Sequence, residues 1–190
     1  MTLLDRRQID TRLGGIAVLE TRRLVLRAPR FEDAKRVAAL VNDRRIAENT
    51  ARIPHPYTVD DAKEWISAVI SQSAISYVIT VADEVIGACG LDMPQPWGQA
   101  GEGRLGAEIG YWIGVPFWGS GYATEAARSL IDHAFGNLGY RVLTASARVS
   151  NPASRRVLEK CGFQWTGVGL CRIRAISSSV PVDRFRLERP

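Results

Sequence analysis

Between residues 21 and 27 (TRRLVLR) polar and apolar positions alternate, which predicts a strand. Over residues 31–42, Ala34, Val37, Ala38 and Val41 recur at helical spacing. Pro54, His55 and Pro56 interrupt the pattern and predict a loop. Thr58 with Asp61 forms a capping box, and Ala62, Trp65, Ile66, Val69 and Ile70 follow as one apolar helix stripe. Two β-branched runs, 75–81 and 85–91, flank Ala82, Asp83 and Glu84 and predict a hairpin. Residues 92–104 hold two prolines and three glycines and read as a loop, and 108–113 as a further strand. Ala123, Ala126, Ala127, Leu130, Ile131, Ala134 and Phe135 then share a helix face. A strand at 141–149, a helix at 152–160 and strands at 163–170 and 182–187 complete the pattern. The order is β-α-α-β-β-β-α-β-α-β-β. With antiparallel neighbours in the middle, it predicts an α+β or mixed α/β sheet rather than a doubly wound one.

Length and composition narrow this further. The 190 residues fit one domain, and 46% hydrophobic with 24% charged residues exclude a disordered chain. No apolar run approaches the roughly 20 residues of a membrane span. Residues 1–19 carry Asp and Arg without an apolar block, so they are no secretory signal. Residues 1–18 are expected to form a loose arm ahead of a single domain at 19–190. Cys89, Cys161 and Cys171 are odd in number and widely spaced, and His55 and His133 are the two histidines. That argues against zinc or a disulfide framework, and for buried free thiols in a cytoplasmic protein.

The net charge of +5 is carried almost wholly by arginine, with Lys35, Lys63 and Lys160 the three lysines. Arg22, Arg23, Arg27 and Arg30 form the densest cluster, readable as a solvated face or as an anion site. No helix-turn-helix or zinc-finger pattern accompanies it, so nucleic acid is not an expected partner.

Two glycine signatures stand out. Gly101, Gly103 and Gly106 match the dinucleotide fingerprint, but a Pro-rich loop precedes them and a strand follows, the reverse of what that motif needs. In residues 113–126 (IGVPFWGSGYATEA) a strand leads in and an amphipathic helix leads out. Gly119, Gly121 and Ala123 let the backbone approach a ligand, and unpaired amides at a helix start attract an anion. The sequence lacks Gly-Lys-Ser/Thr, so a pyrophosphate held by backbone donors fits better than a Walker site.

These residues resemble the GNAT acyl-CoA acetyltransferase superfamily, whose pyrophosphate loop reads Gln/Arg-x-x-Gly-x-Gly/Ala. The register falls on Trp118, Gly119, Ser120, Gly121, Tyr122 and Ala123, with Trp118 replacing the usual Gln or Arg. That departure is similar to the ribosomal-protein N-terminal acetyltransferase (RimJ/RimL-type) branch. Residues 19–27, 107–113 and 151–163 resemble three further blocks of that branch in the right order.

The resemblance implies a central, mostly antiparallel sheet of six to seven strands, splayed between its fourth and fifth strands and flanked by about four helices. It implies acetyl-CoA as co-substrate, without metal. The arm of the cofactor would add along the fourth strand near Ile113 by main-chain bonding, with its thioester at the opening of the splayed strands. Main-chain amides of Trp118, Gly119, Ser120, Gly121, Tyr122, Ala123 and Thr124 would hold the pyrophosphate, and Asn151 the arm from the other side. Attack by a neutral amine needs a proton acceptor and an acid for the leaving thiolate. The resemblance offers Ser154 as the acid. Its other reading is a first-turn serine bonded to its own backbone. A tyrosine that many relatives carry four residues further on is Leu158 here.

Glu108 is the candidate base, with a strand bulge expected to blur its register by one residue; a structural carboxylate is the other reading. Relatives with a fifth-strand glutamate have it where this chain has Ser146. His55 is a second acceptor-side candidate, and His133 is expected to be structural. Neutralising a lysine costs about 4–5 kcal/mol at pH 7, an α-amine only about 1–1.4 kcal/mol. A weak base signal therefore suits an α-amine. The expected activity is acetyl transfer to a primary amine, on a protein N-terminus or a small molecule. A non-catalytic acyl-CoA-binding module is the alternative. A homodimer is left open, and no membrane partner is expected.

Overall fold

The computed structural model describes residues 12, 13, 16–71, 75–92 and 106–189. Two short strands, β1 (Arg12–Leu13) and β2 (Ile16–Ala17), pair with each other inside the stretch expected as a loose arm, and Ile16 packs against the core. Of the expected strand over 21–27 only β4 (Val25–Arg27) is extended in the sheet; it pairs back, antiparallel, with β3 (Leu19–Glu20) just ahead of it. The Thr21 hydroxyl accepts the Leu24 amide at 2.9 Å, and this local turn outcompetes a continuous ladder.

Helices α1 (Ala34–Val41), α2 (Arg44–Ala47) and α3 (Val59–Ile70) follow. The Thr58–Asp61 capping box starts α3 as expected, and its Ala62, Ile66 and Val69 are buried while Ile70 is exposed. The hairpin of β5 (Ile75–Val81) and β6 (Glu84–Asp92) turns through Ala82 and Asp83, both with positive φ. Then come β7 (Gly106–Ile113), α4 (Tyr122–Gly136), β8 (Val142–Arg148), α5 (Pro152–Lys160), β9 (Gln164–Ile173) and β10 (Ser178–Glu188). The expected loop over 92–104, with Gly101 and Gly103, falls outside the described residues except for Asp92. Gly106 opens β7, so no helix follows the decoy fingerprint.

Among the described residues one sheet has eight strands in the order β3-β4-β5-β6-β7-β8-β10-β9. The count exceeds the expected six to seven because β3 adds a short strand ahead of the expected first one. All neighbours are antiparallel except β7 and β8. The sheet has a core on each face. Ile109 and Ile113 join α4 and Leu158 of α5 on one side. Val78, with Trp112 packed alongside, joins α1 and α3 on the other. No described helix is long and apolar enough to cross a membrane.

Candidate functional site

The parallel pairing of β7 and β8 ends almost as soon as it starts. Gly106, Ala107 and Glu108 face Val142, Leu143 and Thr144, and beyond Glu108 the strands part. From there β7 stays paired with β6 alone, through Gly87↔Ile113, and β8 stays paired with β10 through Arg148↔Val182. The Gly114 amide donates to the Ile86 carbonyl at 2.7 Å. Counting back from that bond, even-numbered residues of β7 exchange main-chain bonds with β6, while Ile109, Tyr111 and Ile113 turn their N–H and C=O groups toward the gap. The register from Asp92↔Glu108 to Gly87↔Ile113 has no shift, so the bulge expected to blur Glu108 is not there.

Side chains alternate across β7 as well. Glu108, Gly110 and Trp112 lie on the α1/α3 face, and Ile109, Tyr111 and Ile113 on the α4/α5 face. A Cβ on Gly110 would meet no atom within 4 Å, so the sheet has open space there, between Glu108 and Trp112.

At the wide end of the gap a one-turn helix, Val115–Phe117, leads to Trp118, Gly119, Ser120 and Gly121. Gly119 and Gly121 have φ of 77° and 79°, a left-handed conformation costly for a residue with a Cβ. Gly121 is the N-cap of α4, and no side chain caps this helix start. The first intrahelical bond is Glu125 N–H to the Gly121 carbonyl, so the amides of Tyr122, Ala123 and Thr124 have no partner within the helix. The Trp118 indole N–H donates to the Ile113 carbonyl at 2.6 Å. That bond occupies the carbonyl at the end of β7 and leaves its N–H for the gap.

The loop is braced from outside by Arg23 of the arginine cluster together with Glu125 and Thr21, a pairing the sequence did not show. Glu125 Oε1 accepts from the Thr21 hydroxyl at 2.7 Å and from the Arg23 amide at 3.0 Å. The Arg23 guanidinium donates to Glu125 Oε2 at 2.7 Å and to the Ser120 carbonyl at 3.0 Å, and lies 4.6 Å over the Tyr122 ring. Burial works against the Glu125 carboxylate, and the bonds from Thr21 and Arg23 more than offset it, so its pKa sits below the ordinary range. Arg27 is likewise committed, at 2.8 Å from Asp33. Two of the four clustered arginines are therefore held in structural pairs.

Asn151 caps α5, its Oδ1 accepting the Ser154 amide at 3.2 Å. The Ser154 hydroxyl does not turn to its own helix. It lies 3.0 Å from the Tyr111 hydroxyl, which also lies 3.2 Å from the Ser154 carbonyl. Burial drives the Tyr111 phenol far above its usual pKa, against the opposing effect of the Ser154 bond, so it stays protonated. Glu108 and Ser154 thus sit on opposite faces of the sheet, on either side of the gap. Leu158 is buried and Ser146 exposed.

His55 Nδ1 is buried between α2 and α3 without a hydrogen-bond partner. His133 is buried, bonded to Asn137 at 3.2 Å and edge-on to Tyr77, the structural role expected of it. Of the three thiols only Cys89 is fully buried; Cys161 and Cys171 are partly exposed, short of what was expected. No cluster of three or more metal-ligating side chains occurs among the described residues.

The family model described as an acetyltransferase (GNAT) domain matches residues 23–164, three-quarters of the chain. The chain belongs to the GNAT acetyltransferase family. This acetyltransferase is 32% identical over 156 residues to an uncharacterized N-acetyltransferase, p20, of Bacillus licheniformis, covering 79% of this chain and 84% of p20. Among solved structures it is similar to Mycobacterium smegmatis RimJ in complex with CoA-disulfide. That match has a TM-score of 0.77 at 21% identity, over 92% of this chain and 88% of that one. The microcin C7 self immunity acetyltransferase MccE, in complex with acetyl-CoA and AMP, matches with TM-score 0.71 at 21% identity, over 89% and 94%. In this GNAT enzyme, the gap between β7 and β8 lies where the resemblance implied a splay, between the fourth and fifth strands of the expected order.

Proposed function

We propose that this enzyme moves the acetyl group of acetyl-CoA to a primary amine, a protein N-terminal α-amine or a small-molecule amine, by direct attack in a ternary complex. The observation that carries the reading is the end of β7–β8 pairing at Glu108 and Thr144, which leaves a strand-sized gap edged by main-chain donors and acceptors. Bound there, acetyl-CoA supplies an activated thioester.

The chain's own residues divide the remaining work. The backbone from Gly119 to Thr124 holds the diphosphate, with the Tyr122, Ala123 and Thr124 amides and the α4 dipole facing it; the Trp118 amide, expected to join them, is spent on the Val115 carbonyl at 3.2 Å. Ile113 and Tyr111 lend main-chain groups to the arm on one side. The Asn151 side-chain NH2, free while Oδ1 caps α5, reaches it from the other. An amine enters over Gly110 on the α1/α3 face, where Glu108 takes its proton. Ser154, on the α5 face, donates to the departing thiolate. The amine nitrogen adds to the thioester carbonyl, giving a tetrahedral oxyanion; Glu108 takes the amine proton, and the carbonyl re-forms as the C–S bond breaks and Ser154 protonates the thiolate.

The test is a panel of amines incubated with acetyl-CoA: N-terminal peptides, N-blocked lysine peptides and small amines. Thiol release with a matching acetylated product on at least one amine is expected. Tight acetyl-CoA binding without thiol release for any amine would overturn the reading in favour of a binding module.

A further inference from the structure

Three arginines, Arg52, Arg172 and Arg174, line one surface cleft. The segment after α2 meets the tip of the β9–β10 hairpin, where the Arg174 amide donates to the Ala51 carbonyl at 2.9 Å. The Arg148 guanidinium also ties the end of β8 to this segment through the Glu48 carbonyl, at 2.6 Å. The surface cleft between these parts is lined by Ala51, Arg52, Arg172, Arg174 and Ser177.

Arg52 forms an ion pair with Asp92, the residue directly across the β6–β7 ladder from Glu108. The cleft is therefore one side chain away from a residue about 5 Å from the candidate base. The charges are unevenly matched. Arg172 and Arg174 have no carboxylate within ion-pair distance among the described residues. Asp61 feels Arg174 only as a weak, longer-range attraction. Two guanidiniums are left facing an open cleft with the Ser177 hydroxyl between strand and turn. Each carries a planar fork of donors suited to a carboxylate or phosphate.

We propose that this cleft is a subsite for an anionic group on the acceptor, a carboxylate or a phosphate placed one or two residues, or an equivalent length, from the reacting amine. The same field repels a polycation, so polyamines are disfavoured. The inference rests on the acetyltransferase reading above, and its test separates the two.

The experiment measures equilibrium binding of three tetrapeptide amides to the enzyme saturated with CoA: Ala-Asp-Gly-Gly, Ala-phosphoSer-Gly-Gly and Ala-Lys-Gly-Gly. At least one anionic peptide is expected to bind tenfold or more tighter than the lysine peptide, and the Asp and phosphoSer arms tell carboxylate from phosphate. The preference should shrink as salt rises, because the cleft is exposed. It should vanish in the double variant Arg172→Gln/Arg174→Gln and reverse in Arg172→Glu/Arg174→Glu, with acetyl-CoA affinity unchanged in both. Equal affinities, no binding by either anionic peptide, or a preference that survives both double variants would overturn the subsite. Failure of wild-type enzyme to bind acetyl-CoA would instead strike the acetyltransferase reading, a separate measurement in the same series.

Discussion

The Tyr111 hydroxyl stands 3.0 Å from Ser154 Oγ, joining β7 to α5 across the point where the two central strands have parted. The phenol's one proton is shared between Ser154 Oγ and the Ser154 carbonyl at 3.2 Å; when it goes to Oγ, the serine proton is turned outward. Tyr111→Phe keeps the ring and removes that bond. Turnover should fall by about tenfold, less than the roughly 10²–10⁴-fold of a positioned acid because Ser154 itself stays, with acetyl-CoA affinity nearly intact. Ser154→Ala should fall at least as far, and the double variant no further than Ser154→Ala alone. Because burial holds Tyr111 protonated, Tyr111→Phe should leave the shape of the pH–rate profile unchanged. A new inflection below about pH 9, or independent additive losses, would separate the two hydroxyls.

Glu125 carries a pH-dependent part of stability. Its folded pKa is depressed, so the stabilisation is present above the unfolded value near 4.3 and is lost as pH falls through the folded value. Glu125→Gln should lose about 1 kcal/mol at neutral pH, a modest figure because Arg23 is 36% exposed. Urea midpoints of wild type and variant should converge as pH falls through the depressed folded pKa of Glu125, below the ordinary glutamate range. A constant offset down to low pH would assign the loss to packing. Slackening of the Ser120 brace should also weaken CoA binding.

Gly121 tests the loop. A residue with a Cβ at φ 79° is strained, and the added atom comes 3.5 Å from the Arg23 guanidinium. Gly121→Ala therefore measures strain alone, and Gly121→Asp adds a negative charge beside the diphosphate. The aspartate variant should bind CoA at least tenfold more weakly than the alanine variant, about 1.4 kcal/mol. Equal affinities in two folded variants would move the phosphate site elsewhere.

Glu108→Gln separates a base from a structural carboxylate. As a base, its loss should slow transfer most at pH 6 and least at pH 9, as more of the amine loses its proton unaided. A defect independent of pH would mean Glu108 only shapes the sheet.

Local signals were legible in the sequence wherever the chemistry is local. Asn151 and Pro152 mark the start of α5, and Thr58 with Asp61 that of α3, because caps act over three residues. Gly119 and Gly121 were readable because each needs a conformation other residues avoid. The Thr21 turn was not, since alternation in TRRLVLR looks the same with or without a turn at its start. Arg23 with Glu125 and Tyr111 with Ser154 lie 102 and 43 residues apart, and no periodicity links them. Trp118 stands where the family pattern has Gln or Arg, and the sequence shows no partner for it. Folded, its indole N–H holds the end of β7.

The most direct test of the account is backbone hydrogen exchange with and without acetyl-CoA. The amides of Ile109, Tyr111 and Ile113 along the gap, and of Tyr122, Ala123 and Thr124 at the start of α4, should gain protection together when the cofactor binds. The even-numbered amides of β7, already bonded to β6, should change little. Protection at α4 with none along β7, or binding that protects neither, would contradict a cofactor seated between β7 and β8.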